Sequence, residues 1–447
     1  MATPKLTLAG ADPDGFLRLV AEPVSQQLYG ATAARSSLWG YNGSVPGPDI
    51  RIRQGARVQV RLENRLDVPT TLHWHGVRID NAYDGVSGLT QPPVPPGQTF
   101  DYDFIAPDAG TYWYHAHHES WRQVARGLYG PLIVEEADNA FPPAADITLM
   151  LDDWRLDEEG VLQVASLGAP MDWSHAGRLG NWPTVNGATR PTIALSAGQP
   201  TRLRLINAAN ARVFNLAPGR MNADIIALDG RALADPIRTN EIVKLAPAQR
   251  MDLLITPSPE LAALTEHTAP AQPFEIADFT VSAPGHFMPT RALRPAPVSP
   301  PDRAADHQLT LTMAGGAMGR MGGTVYKGAP LTGERLMETK QFWSFNGVAN
   351  MTDTPFFAAR LGDYVEIETV NETRWPHAIH FHGHHFKILS STNEDQFETG
   401  QTRDTFFIEP QQRVRIGLVA DNPGKWLMHC HMLEHAAAGM VTWFDVS

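Results

Sequence analysis

The chain has 447 residues, a formal net charge of −12, 43% hydrophobic residues and a single cysteine. An acidic balance with no basic block argues against a nucleic-acid partner. The lack of an apolar run of about 18 residues argues against a membrane span, and one cysteine permits no intramolecular disulfide.

From the N-terminus, Met1-Ala2-Thr3-Pro4-Lys5 does not have the character of a signal peptide. Gly and Pro number 37 and 36, and short runs alternate apolar with polar residues, so strands are predicted throughout. The turn signal Asn42-Gly43 is followed by Pro48, Gly55 and Asn64, with the alternating stretch Val58-Gln59-Val60-Arg61-Leu62 before the last. The same spacing returns after Asn186-Gly187 as Pro191, Gly198 and Asn207, and after Asn346-Gly347 as Pro355, Gly362 and Asn371. A threefold internal repeat of one β-domain follows. The expected fold is all-β, with three Greek-key sandwich or barrel domains. Boundaries are predicted in the Pro-containing segments Asp138 to Ala145 and Pro295 to Ala305, giving domains at 1–140, 141–300 and 301–447.

The first domain carries His73-Trp74-His75-Gly76 and then, five residues after Gly110, His115-Ala116-His117. The third carries His380-Phe381-His382-Gly383 and, five residues after Gly424, His429-Cys430-His431. In a strand, alternate side chains share a face. Each His-x-His pair therefore projects to one side, and Cys430 points away from His429 and His431. One pair alone reads best as a half-exposed strand; four pairs related two by two read as a metal cluster. Cys430, with His435 and Met440 after it, supplies the thiolate, imidazole and weak thioether of a blue-copper site. Ala116 stands where Cys430 stands in the other copy, so only the third domain has that site.

These motifs resemble the multicopper oxidase family along the whole chain, and the resemblance implies three cupredoxin domains and four coppers per chain. It implies type 1 copper on His377, Cys430 and His435 with Met440 as weak axial ligand, and type 2 copper on His73 and His380. It implies a type 3 pair on His75, His115, His117, His382, His429 and His431, so that ten of the 17 histidines are ligands. The cluster then spans the first and third domains, and the middle domain is a spacer. The implied reaction passes single electrons from a reductant through Cys430 to His429 and His431 and reduces dioxygen to water. Met440 implies a low to moderate type 1 potential. A copper-free scaffold would have lost motif histidines, and none is missing; a copper nitrite reductase would have two domains.

Asp84, nine residues after His75, matches the family's acidic residue near type 2 copper and is the expected proton relay; its plainer reading is a turn Asp before Gly. Ala436 replaces an acid common in bacterial members, leaving Glu434, Asp404 or water as substitutes. His118, His384 and His385 are expected to be unligated, and His175, His267, His286 and His307 solvated. Thr373 and Trp375 stand where copper-efflux oxidases carry an Asp/Met pair, and Met313, Met318 and Met321 are too few to establish a metal-substrate loop. Phenols or aromatic amines are therefore preferred as substrates over cuprous or ferrous ions. A monomer is expected, periplasmic or secreted by family resemblance alone.

Overall fold

Each third of the chain turns on an Asn-Gly pair with positive φ, at 52° and 75° for Asn42-Gly43, 52° and 70° for Asn186-Gly187, and 49° and 73° for Asn346-Gly347. Asn and Gly tolerate this left-handed backbone better than other residues. Each Asn also uses both ends of its amide on an earlier strand. Asn42 accepts from Val20 N–H at 2.6 Å and donates to Arg18 O at 3.0 Å. Asn186 does the same with Met150 and Thr148, and Asn346 with Thr312 and Thr310. The second repeated asparagine is a buried brace. Asn64, Asn207 and Asn371 each accept the N–H two residues on and donate across the domain, to Val94 O, Leu245 O and Glu409 O.

The computed structural model describes residues 5–6, 12–30, 33–138, 140–269, 271–284, 288–294, 301–393 and 399–447; His286 and residues 295–300 of the second expected boundary lie outside them. Strand pairing repeats with the sequence. Leu17–Gln26 runs parallel to Arg57–Asn64, Asp146–Trp154 to Thr201–Asn207, and His307–Gly315 to Tyr364–Asn371. In the facing sheets the parallel partners are Asp49–Arg53 with Tyr129–Glu135, Thr192–Ser196 with Phe274–Ser282, and Ala358–Ala359 with Val441–Val446. A parallel pair demands a crossover, so each chain third passes between two sheets whose other pairings are antiparallel, apart from Lys5–Leu6, which also runs parallel to Asp49–Arg53, and the expected all-β class is found. Among the described residues the sheets have five and four strands in the first third, six and five in the second, and six and five in the last, which also carries a two-stranded ribbon of Val325–Tyr326 and Ala329–Pro330.

Each sheet pair encloses its own apolar core, around Trp74, Leu203 and Ile379 respectively. A further cluster joins all three thirds through Trp113, Ile206 and Leu433. Two ion pairs and a buried hydrogen bond tie the first and second together: Arg51 Nη1 donates to Asp146 Oδ2 at 3.2 Å, Arg202 Nη1 to Glu136 Oε1 at 2.7 Å and Arg204 Nη1 to Thr111 Oγ1 at 2.7 Å. The first and third thirds meet directly, Arg78 Nη1 donating to Asp421 Oδ2 at 2.7 Å and Asn81 Nδ2 to Lys425 O at 2.6 Å. No helix among the described residues is long and apolar enough to cross a membrane.

Candidate copper centres

Two strand pairs build the site and are copies of one another. Leu72–His75 pairs antiparallel with Gly110–Ala116, placing His73 opposite His115 and Leu72 opposite Ala116. His377–Phe381 pairs with Gly424–Cys430, placing His380 opposite His429 and Ile379 opposite Cys430. The eight paired histidines meet where the two copies face each other. The rings of His75 and His380 stack at 3.7 Å between centroids, and those of His73 and His382 at 3.9 Å. Nε2 of His382 is 3.2 Å from Nε2 of His429, and Nε2 of His431 is 3.4 Å from Nε2 of His115. His117, His382 and His429 present ring nitrogens within 4.8 Å of one another, as do His73, His380 and His382, and His73, His75 and His115.

Burial holds the imidazoles of His75, His115, His117, His382 and His431 well below their ordinary pKa, and the next imidazole adds to the effect. Burial takes His429 down to about 3. The rings are therefore neutral, with lone pairs free. Nε2 of His73, His117 and His380, and Nδ1 of His75 and His431, are buried with no hydrogen-bond partner. Each such atom costs about 1–3 kcal/mol when left unsatisfied, so the cluster fits metal ions far better than it fits itself.

Nδ1 is held in four of the cluster histidines, His73, His380, His115 and His429. His73 Nδ1–H donates to Asp84 O at 2.8 Å and His380 Nδ1–H to Asp404 O at 3.0 Å. His115 and His429 donate from Nδ1 to Ala116 O and Cys430 O at 3.0 and 2.9 Å. Fixing one nitrogen aims the other. The Asp84 carboxylate is buried and lies 2.9 and 3.1 Å from His382 Nδ1. It reaches this position because Gly85, at φ +80°, passes so close to Leu72 O that a Cβ would lie 1.8 Å from it.

Cys430 projects away from this cluster, as strand alternation requires. Its Sγ lies 3.6 Å from His377 Nδ1 and 3.8 Å from His435 Nδ1, and the two Nδ1 atoms are 3.1 Å apart. His377 Nε2–H donates to Thr373 Oγ1 at 2.9 Å, and His435 Nε2–H to His175 O at 2.6 Å. Both rings therefore turn Nδ1 toward the sulfur. Met440 is fully buried, and its carbonyl accepts Cys430 N–H at 3.0 Å. Burial pushes the Cys430 thiol up to about 12, a cost that a soft cation bound to the thiolate would offset. A nitrogen, nitrogen, thiolate set suits copper, and Met440 shares a buried core cluster with Cys430.

Several sequence expectations need correction. The middle third is more than a spacer. Three consecutive carbonyls of its segment, Trp173, Ser174 and His175, accept from Trp343 Nε1, Ala317 N–H and His435 Nε2. His175 is half-buried against Trp375, His267 is buried with Nε2 2.8 Å from Thr265 Oγ1, and His307 opens a strand beside Asp363. His384 and His385 are also buried, and no metal-type grouping includes them. Met313 belongs to the core whereas Met318 is 79% exposed, so the three methionines share no common setting. Glu434 turns to the middle third, accepting from Asn210 Nδ2 and Arg178 N–H. Thr373 was legible only as the absence of an acid; its service to His377 has no sequence signature.

Three models of multicopper oxidase domains match residues 24–139, 145–262 and 329–447. Multicopper oxidase MmcO of Mycobacterium tuberculosis is 30% identical over 437 residues, covering 91% of this chain and 82% of its own. The crystal structure of a multi-copper oxidase from Pseudomonas thermotolerans superposes with a TM-score of 0.83 at 31% identity, covering all of both chains. Lac15, from a marine microbial metagenome, superposes with a TM-score of 0.75 at 36% identity, covering 96% of this chain and all of its own. With copper-type donor sets in both places the motifs indicate, the chain belongs to the multicopper oxidase family.

Proposed function

We propose that the protein is a laccase-like oxidase that takes single electrons from phenols or aromatic amines and delivers them to dioxygen. The observation that carries this reading is the position of Cys430, whose sulfur faces His377 and His435 while its two chain neighbours enter the eight-histidine cluster. His377, Cys430 and His435, with Met440, would hold one copper; His73 and His380 a second; His75, His115, His117, His382, His429 and His431 a pair. Copper so held supplies one-electron acceptance at Cys430 and reduction of dioxygen with four electrons and four protons to two waters at the histidines.

The chain's own groups supply direction and protons. His429 and His431 are each one residue from Cys430, and the His429 Nδ1–H bond to Cys430 O shortens one route further. Asp84, bonded to His382 from within the cluster, is placed to pass protons there. A cavity of about 220 Å³ lined by His117, His429, Val86, Ser87 and Ala436 opens toward the cluster and gives dioxygen a path. On the reductant side the surroundings are aromatic: Trp343 lies 4.2 Å from the His435 ring and Trp375 5.2 Å from His175. Thr373 is committed to His377, which favours organic reductants over a bound metal ion. A monomeric, periplasmic or secreted enzyme accords with this chemistry.

Oxygen uptake by copper-loaded protein tests the reading, with a phenol and with cuprous ion in parallel. Turnover of the phenol with four coppers per chain is expected. Turnover of cuprous ion alone would reverse the substrate assignment, and fewer than three coppers after full loading would remove the cluster.

A further inference from the structure

The two type 2 histidines, His73 and His380, are braced by two aspartates in a crossed arrangement. Asp84, in the first domain, accepts from His73 at its carbonyl and from His382 of the third domain at its carboxylate. Asp404, in the third domain, accepts from His380 at its carbonyl, and its carboxylate lies 3.5 Å from Nε2 of His75 in the first domain. Asp404 is thus the counterpart of Asp84 on the other side of the cluster.

The counterpart is held differently. Arg250, from the middle domain, donates to both Asp404 oxygens, Nη1 to Oδ1 at 2.8 Å and Nη2 to Oδ2 at 2.5 Å, and all of these groups are buried. Arg250 is itself fixed, with Nε–H on Thr111 O at 3.0 Å and its backbone N–H on Asp229 Oδ1 at 2.9 Å. Thr405 Oγ1 completes the brace, 2.8 Å from Asp404 Oδ1 and 3.1 Å from His380 Nδ1. Gly76, which ends the first His-aromatic-His-Gly unit, lies directly beneath the ion pair. A Cβ there would lie 2.3 Å from Arg250 Nη2 and 2.5 Å from Asp404 Oδ2. The motif glycine thus makes room for this pair.

We infer that Asp404 and Arg250 are positioning residues for His380 and His75, and that through them the middle domain governs how firmly the cluster holds its type 2 copper. A bidentate guanidinium fixes the plane of the carboxylate, and loss of such an outer partner typically weakens metal retention about 10–100-fold. Because Arg250 engages both oxygens, Asp404 serves as a fixed brace, which leaves proton passage to Asp84. The inference rests on the copper assignment proposed above.

The test loads Arg250→Met, Arg250→Lys and the double variant Arg250→Met/Asp404→Asn with copper and follows the type 2 electron paramagnetic resonance signal during titration with a chelator. The blue absorbance of the type 1 site serves as an internal control for the third domain. Arg250→Met is expected to stay blue and to release type 2 copper at chelator concentrations at least tenfold lower than wild type, with partial recovery in Arg250→Lys. The double variant leaves no unpaired buried charge, so it decides the matter where Arg250→Met does not fold. Blue variants that keep the wild-type signal and chelator resistance would overturn the inference. A wild-type protein without a type 2 signal would instead overturn the copper assignment.

Discussion

The carbonyl oxygen of His175 lies 2.6 Å from Nε2 of His435, so the outer edge of the His435 ring is covered by the middle third. The flanking bonds are equally specific, since Leu433 N–H donates to Asn210 O and Glu434 accepts from Arg178 N–H and Asn210 Nδ2. The His175 segment therefore packs directly against His435. Gly177 closes that segment at φ +79°, where a Cβ would lie 2.6 Å from the Ala211 Cβ. Gly177→Ala should therefore cost about 1–3 kcal/mol and pull the segment from His435. The expected outcome is a lower melting temperature and a shifted type 1 potential with an unchanged type 2 signal. A potential equal to wild type would show that the His175 bond has no influence on the site.

Cys430→Ser should abolish the blue colour and oxidation of the organic reductant while the histidine cluster keeps its coppers, which metal analysis would count as three per chain. The copied strand supplies a control. Ala116 is buried opposite Leu72 as Cys430 is opposite Ile379, but three residues before His73 stands Thr70, where His377 stands three before His380. Ala116→Cys should therefore add a thiol and no blue absorbance. Blue Cys430→Ser protein would contradict the thiolate's role.

Asp84→Asn keeps the size of the side chain and removes its capacity to carry a proton to the cluster. Oxygen uptake should fall on the order of 100-fold, the lower range for a lost proton-transfer group. Bleaching of the blue colour by reductant in the absence of oxygen should continue at the wild-type rate, because Asp84 lies on the other side of the His-Cys-His segment. Slowed bleaching with normal oxygen uptake would place Asp84 on the wrong half of the reaction.

The histidines and the cysteine of the two donor sets were legible because a metal site needs particular side chains at strand spacing, and a repeat displays them twice. Pairing His73 with His115 and His380 with His429 follows from that periodicity once the strands align. The braces were not legible. Arg250 and Asp404 are 154 residues apart, and an Arg or Asp in a strand is ordinarily a solvated residue. The His175 contact uses a backbone carbonyl, which any residue supplies. The domain repeat showed where three cores form, but not that the middle one reaches both donor sets, because contacts between domains carry no period.

Asp252 offers a stability test away from the copper ligands. Oδ1 accepts from Thr111 Oγ1 at 2.6 Å across the contact between the first and middle thirds, whereas Oδ2 is buried with no hydrogen bond and has Arg204 and Arg202 at 3.6 and 3.9 Å. Burial pushes its carboxyl up to about 7, against the pull of Arg202. The unfolded chain releases this proton near 3.8, so between those values the folded state binds more proton than the unfolded state. Stability from this group is therefore fully present below about pH 4 and is lost as pH rises to about 7, at about 1.4 kcal/mol per unit as an upper bound. Asp252→Asn has no such proton. The melting temperature of the variant minus that of wild type should climb from pH 4 to pH 7 and level off above it. A difference that stays flat, or falls, would show that the two guanidinium groups keep Asp252 ionised throughout.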